Sequence, residues 1–174
     1  MNILIDRMIR AARLDVNLYE EVEADKGALG QAMAVVVISS VAAGLGSIAQ
    51  GGIVNIFLTT VMALIGWYVW AYLTFLIGTK LLPEPQTRAD HGELLRTIGF
   101  SSSPGVIRVL GIIPFLSGLV SFVAAIWMLV AMVIAVRQAL DYRSTPRAIG
   151  VCLIGWVIYF VLTVIMLSFF GIGR

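Results

Sequence analysis

The chain has 174 residues, of which 60% are hydrophobic and only 13% charged, and its formal net charge is +2. A soluble domain of this size carries about 25% charged residues, so the composition excludes one and predicts an all-α polytopic membrane domain. So small a net charge gives nucleic acid no footing, and a lone Cys152 and a lone His91 leave neither a disulfide framework nor a Cys/His metal centre.

Residues 1–28 read as a cytoplasmic juxtamembrane helical segment ahead of a membrane domain over 29–174. Asp6, Arg7, Arg10 and Arg13 interrupt any apolar core a signal peptide would need. Ile5, Met8, Ile9 and Ala12 share one helical face, with Arg7, Arg10 and Arg13 recurring on another. That pattern suits a helix lying on an anionic membrane surface, or equally a solvated helix packed against the bundle. Asn17 followed by Glu20 has the spacing of a capping box, predicting a second short helix from there. Its Glu20, Glu21, Glu23 and Asp25 read as a solvated acidic face, with partner docking as the sharper alternative.

The first span is expected at about 31–49. Ser40 with Gly44, and Ala43 with Ser47, are pairs of small residues four apart, which let helices approach closely within the chain or between two copies. Gln50-Gly51-Gly52 allows only an antiparallel hairpin into the second span, 53–79. As straight helix this span would extend about 40 Å against a hydrocarbon core of about 30 Å, so it tilts, kinks or projects. Trp67, Tyr68, Trp70 and Tyr72 lie past its midpoint and read as packing or lipid-facing aromatics. Leu82-Pro83-Glu84-Pro85 then breaks the helix.

The stretch from Gly99 to Phe115 carries Ser101, Ser102, Ser103, Pro104, Arg108 and Pro114 where a span at about 93–114 would have to cross. The distribution of cations argues that it crosses. With five spans and a cytoplasmic amino terminus, ten of the twelve Lys and Arg residues stay inside, the arrangement that sets orientation. With four, Arg137, Arg143 and Arg147 would be translocated. The prolines each remove a backbone donor, so this span is predicted to kink near Pro104, shielded by neighbours and helped by its serine hydroxyls. Arg108, about 22 Å of helical rise beyond Glu93, either snorkels to outer headgroups or lies buried against freed carbonyls or a lipid phosphate. The fourth and fifth spans are expected at about 117–137 and 147–170, the last opened by Ser144-Thr145-Pro146.

Every carboxylate falls outside the spans, where a proton-coupled pump would bury some as relays. Gly99-Phe100-Ser101-Ser102-Ser103 lacks the final glycine of a nucleophile elbow, and phosphate-loop and dinucleotide fingerprints are absent from the sequence. The expectation is a non-enzyme with no catalytic, cofactor or metal site.

The cytoplasmic front segment, Gly99-Phe100 with Pro104 following, the Ile113-Pro114 corner and Ser144-Thr145-Pro146-Arg147-Ala148 together resemble the Yip family, five-span membrane proteins named for binding Ypt-type GTPases. Eukaryotic members act in vesicle traffic. Leu18-Tyr19 here is followed by Glu20-Glu21 where those members have Gly-Pro, so the chain is most similar to short prokaryotic members. The resemblance implies a scaffold or adaptor in a prokaryotic cytoplasmic membrane, amino terminus inside and carboxyl terminus outside, with lipids and a membrane-protein partner or a second copy as its company. A small transporter or channel built on the broken third span, and an accessory subunit of a larger complex, are the alternative expectations.

Overall fold

The computed structural model describes residues 2–113 and 115–169. Pro114, Phe170 and the tail to Arg174 lie outside the described residues, and with them the expected Ile113-Pro114 corner and the end of the fifth span. Among the described residues all regular structure is helical: α1 (Ile3–Ala12), α2 (Val16–Ala24), a 3-10 turn (Lys26–Ala28), α3 (Leu29–Gly46), α4 (Ile48–Leu76) running into a π-helical turn (Ile77–Leu81), α5 (His91–Ser101), a 3-10 helix (Ser103–Ile112), α6 (Ser117–Ala139) and α7 (Thr145–Phe169).

Among the described residues, four helices are long and apolar enough to cross a membrane: Lys26–Gly46, Gly52–Leu81, Ser117–Ala139 and Thr145–Leu162. The chain turns between the first two at Gly52, whose φ of 65° falls in the left-handed region that glycine enters without a Cβ clash. The first helix ends at Gly46, capped by Ser47, three residues short of the expected limit.

The segment between the second and third of these helices is broken in two. The α-helix stops at Ser101, Ser102 caps it, and the backbone resumes at Ser103 as a 3-10 helix with Pro104 in its first turn. The discontinuity is thus a change of helix type at Ser102, two residues before Pro104, near which a kink was expected. Both pieces run alongside α3 in the same direction. Gly99 packs on Ala32, Gly105 on the Ser39 hydroxyl, and Gly46 on the Arg108 carbonyl. The order of these contacts carries the broken segment along the length of α3.

The loop at 82–90 meets the 140–144 loop and the first turn of α7 at one end of the bundle. The Arg143 backbone N–H donates to Glu84 at 3.0 Å, Arg147 donates to the Pro83 carbonyl at 3.0 Å, and the Tyr142 hydroxyl sits 2.6 Å from the Leu82 carbonyl. Tyr142 also approaches the Gly78 carbonyl at 3.0 Å, filling in for the helical partners a π turn leaves out. The same end holds the two buried clusters. One gathers Ile77, Leu94, Val136, Leu140 and Val151, the other Ala11, Leu18, Tyr19, Val22, Val35 and Phe100. The remaining surface of α4, α6 and α7 is apolar and exposed, as at Phe57, Phe122 and Trp156, which suits lipid contact.

Candidate functional site

Three serines and a proline shape the break. Pro104 has no N–H to offer the Phe100 carbonyl, and the Ser103 hydroxyl donates to that oxygen at 2.7 Å. Ser101 donates likewise to Ile98 at 2.7 Å. Both hydroxyls are buried and bonded back onto the turn before them, while Ser102 opens onto a cavity.

That inner cavity has a volume of about 270 Å³ and is walled by Ser39, Ser40, Trp67, Trp70, Met128 and Tyr159 among others, with Arg108 at its edge. Arg108 also lines a second, outer cavity of about 510 Å³, with Ala43, Gly46, Ser47, Ser117 and Ser121. Half-buried between the two, its side chain has no ion pair or hydrogen bond among the described residues.

The small residues of α3 divide between packing and this site. Gly44 faces Ile56 of α4, and the Ser40 hydroxyl lies 3.3 Å from that of Thr60. Ala43 and Ser47 face the outer cavity. The aromatic group of α4 is likewise spread over several contacts. Trp67 donates to the Leu95 carbonyl at 3.0 Å, Trp70 stands edge-on to Tyr159, and Tyr68 and Tyr72 flank His91.

At the other end, α1 packs against the bundle, one of the two settings its sequence allowed. Arg7 is buried, and its guanidinium donates to Glu21 at 2.9 Å, to Asp25 at 2.9 Å and to Gln31 at 3.0 Å. Arg10 pairs with Asp15 and Glu21, and only Arg13 of the three is exposed. Burying an arginine is tolerable where its fork is filled by carboxylates, so Arg7 turns inward and Ile3, Ile5 and Ile9 face outward. The acidic face is correspondingly not a free solvated one. Arg10 holds Glu21, and Arg7 holds Asp25, below the usual carboxylate range by hydrogen bonding. The second helix starts at Val16, with Asp15 accepting from the Asn17 N–H at 3.0 Å, two residues before the expected cap. A full capping box stands instead at Asp90 and Glu93, opening α5.

Arg96, one of the ten cations the sequence assigns to the cytoplasmic side, is buried and donates to the Val22 and Glu23 carbonyls at the carboxyl end of α2. Trp127, halfway along α6, donates to the Ala12 carbonyl at 2.8 Å. Beside these fastenings Glu20, Glu23, Glu93 and Asp141 gather with Arg137 and Arg143 around a third cavity of about 540 Å³. Burial, and then the charges of Glu93, Asp141 and Glu20, push the Glu23 carboxyl up to about 7. The signal for Arg96 was its setting in Leu94-Leu95-Arg96-Thr97-Ile98, too apolar for a solvated cation. Among the described residues no cluster of His, Cys, Asp and Glu has the makings of a metal site.

A sequence profile of the Yip1 domain matches residues 17–166, from α2 through most of α7. No curated protein and no solved structure matches the chain.

Proposed function

The chain belongs to the Yip1 domain family, and on that premise we propose that it is a non-enzymatic membrane protein whose cytoplasmic end organises protein partners or the local bilayer. It crosses the membrane five times, amino terminus inside and carboxyl terminus outside, in a prokaryotic cytoplasmic membrane. The crossing of the broken segment is supported by the meeting of the 82–90 loop with the 140–144 loop and the first turn of α7: α6 leads back to that end, so the segment before it has to lead away. Its length suffices, since eleven α-helical and ten 3-10 residues rise together about 36 Å against a hydrocarbon core of about 30 Å.

The observation that carries the functional reading is the fastening of α1 and α2. Buried Arg7 and Arg96 fix them to the bundle, so the inner end is a set platform bearing Glu20, Arg143 and the acidic cavity between. A rigid charged platform on an otherwise lipid-facing bundle suits recognition better than turnover.

Affinity purification of the tagged full chain from its own membrane tests this. The wild type is compared with Glu20→Lys and Arg143→Glu, which alter the platform without exposing core as a deletion of residues 1–28 would. A stoichiometric protein or lipid partner lost from both variants supports the reading, and a chain recovered alone from wild type counts against it. For the crossings, single cysteines replacing Arg88 or Phe115 in a Cys152→Ser background are labelled from either side of sealed vesicles. Labelling from opposite sides is expected, and labelling from one side would leave four crossings.

A further inference from the structure

Among the described residues, the cation at the far end of the bundle has no counter-ion. All the Asp and Glu side chains lie in residues 1–28, in the 82–93 region or at Asp141, while Arg108 sits against Gly46 at the opposite end of α3. An arginine stays charged at any accessible pH, and a charge in a partly desolvated site is costly until something neutralises it. Among the described residues nothing does.

The two cavities that Arg108 joins differ in character. The outer one is lined beside Arg108 by Ala43, Gly46, Gly111, Gly118 and Ser121, small residues that leave room for a headgroup next to the guanidinium. Its volume of about 510 Å³ is in the range of small-molecule sites. The inner one, about 270 Å³, is walled largely by Trp67, Trp70, Met128 and neighbouring apolar surface, and suits a strip of hydrocarbon. An anion and an alkyl chain joined in one molecule, presented at the end of a membrane bundle, describe a phospholipid.

We propose that Arg108 anchors the phosphate of an anionic membrane phospholipid in the outer cavity, with part of one acyl chain laid in the inner cavity. A singly charged head such as phosphatidylglycerol matches the single arginine, and a head carrying its own ammonium would leave a charge over. The inference goes beyond the adaptor reading and does not depend on it, since binding is read on the purified chain whether or not a protein partner exists.

The test is native mass spectrometry of the full chain in mild detergent, titrated with dioleoyl phosphatidylglycerol, with the diacylglycerol that lacks the phosphate, and with inorganic phosphate. One phosphatidylglycerol per chain is expected to be retained, with the diacylglycerol and inorganic phosphate weaker on the order of tenfold or more. Arg108→Leu is expected to lower retention by a similar factor, Arg108→Lys by less, and exposed Arg13→Leu not at all. Ala63→Phe, which fills the inner cavity from α4 and leaves Arg108 in place, is expected to lower lipid retention as well. Equal retention by a folded Arg108→Leu chain, or equal retention of the diacylglycerol, would overturn the anchor. Binding of inorganic phosphate as tight as that of the lipid would assign the site to the free anion and overturn the lipid.

Discussion

Arg96 Nε lies 2.9 Å from the carbonyl oxygen of Val22, and the same guanidinium reaches the Glu23 carbonyl, so a cation from α5 closes the carboxyl end of α2 across more than seventy residues of chain. Unpaired carbonyls and the negative end of the helix dipole converge there, which makes a positive charge favourable despite its burial. Arg96→Met keeps the bulk and removes the donors. It is expected to cost about 2–4 kcal/mol, read as a lowered unfolding temperature in detergent, with faster amide exchange confined to α1 and α2. Unchanged exchange over α2 would mean that its apolar contacts alone hold it.

Ser103 and Pro104 form a coupled pair around one acceptor. Without an N–H at position 104, the Phe100 carbonyl takes the Ser103 hydroxyl. Ser103→Ala is expected to destabilise by about 1 kcal/mol. In a Pro104→Ala background the restored N–H serves the same carbonyl, so the serine substitution costs less there. Thermal unfolding of the two single variants and the double variant measures the difference, and strictly additive costs would refute the shared acceptor.

The long apolar helices were legible because each is a nearly unbroken run whose length alone implies a span, and Ser144-Thr145-Pro146 marked the start of α7 to within a residue. The break was legible as a cost, through its prolines and serines, but its helix type was not. Where Pro104 only removes a donor, the 3-10 course is settled against α3 at Gly99, Gly105 and Gly46, contacts that no local pattern encodes. Arg7 and Arg96 show the same limit. A count of cations per loop treats every arginine as solvated, whereas these two are buried by partners that return from Glu21, Asp25 and Val22. The facing of Arg108 on two cavities depends equally on which helices enclose it.

Two glycines should respond oppositely to the same substitution. A Cβ on Gly99 would sit 2.7 Å from that of Ala32 and 3.1 Å from its carbonyl oxygen, whereas one on Gly30 meets nothing within 4 Å. Gly99→Ala must separate α5 from α3 and is expected to cost about 1–3 kcal/mol. Gly30→Ala lies in the first turn of α3 and is expected to be neutral or to stabilise by up to about 1 kcal/mol through a less flexible unfolded chain. Unfolding temperatures of both variants test the register, and a harmless Gly99→Ala would argue against that close approach.

Glu23 gives the acidic cavity it lines with Glu93 and Asp141 a pH dependence of unusual sign. Burial first, then Glu93, Asp141 and Glu20, raise its carboxyl to about 7, with Arg96 opposing them. Between its ordinary value of 4.5 and about 7 the folded chain holds a proton that the unfolded chain has released. Its contribution to stability is therefore complete below about 4.5 and is lost as pH rises through about 7. The lowered carboxyls of Asp15, Glu21 and Asp25 act in the opposite sense, but their contribution fades only as pH falls below the ordinary carboxylate range. Of these four carboxyls, only Glu23 changes charge between pH 6 and 8. Unfolding in detergent should occur at a lower temperature at pH 8 than at pH 6, by the equivalent of about 1 kcal/mol once its partial exposure to solvent is allowed for. Glu23→Gln should abolish the difference and match or exceed the wild type at pH 8, since a neutral amide is spared both the burial of charge and the repulsion from three carboxylates. A wild type equally stable at both pH values would show that water in the 540 Å³ cavity screens Glu23 fully.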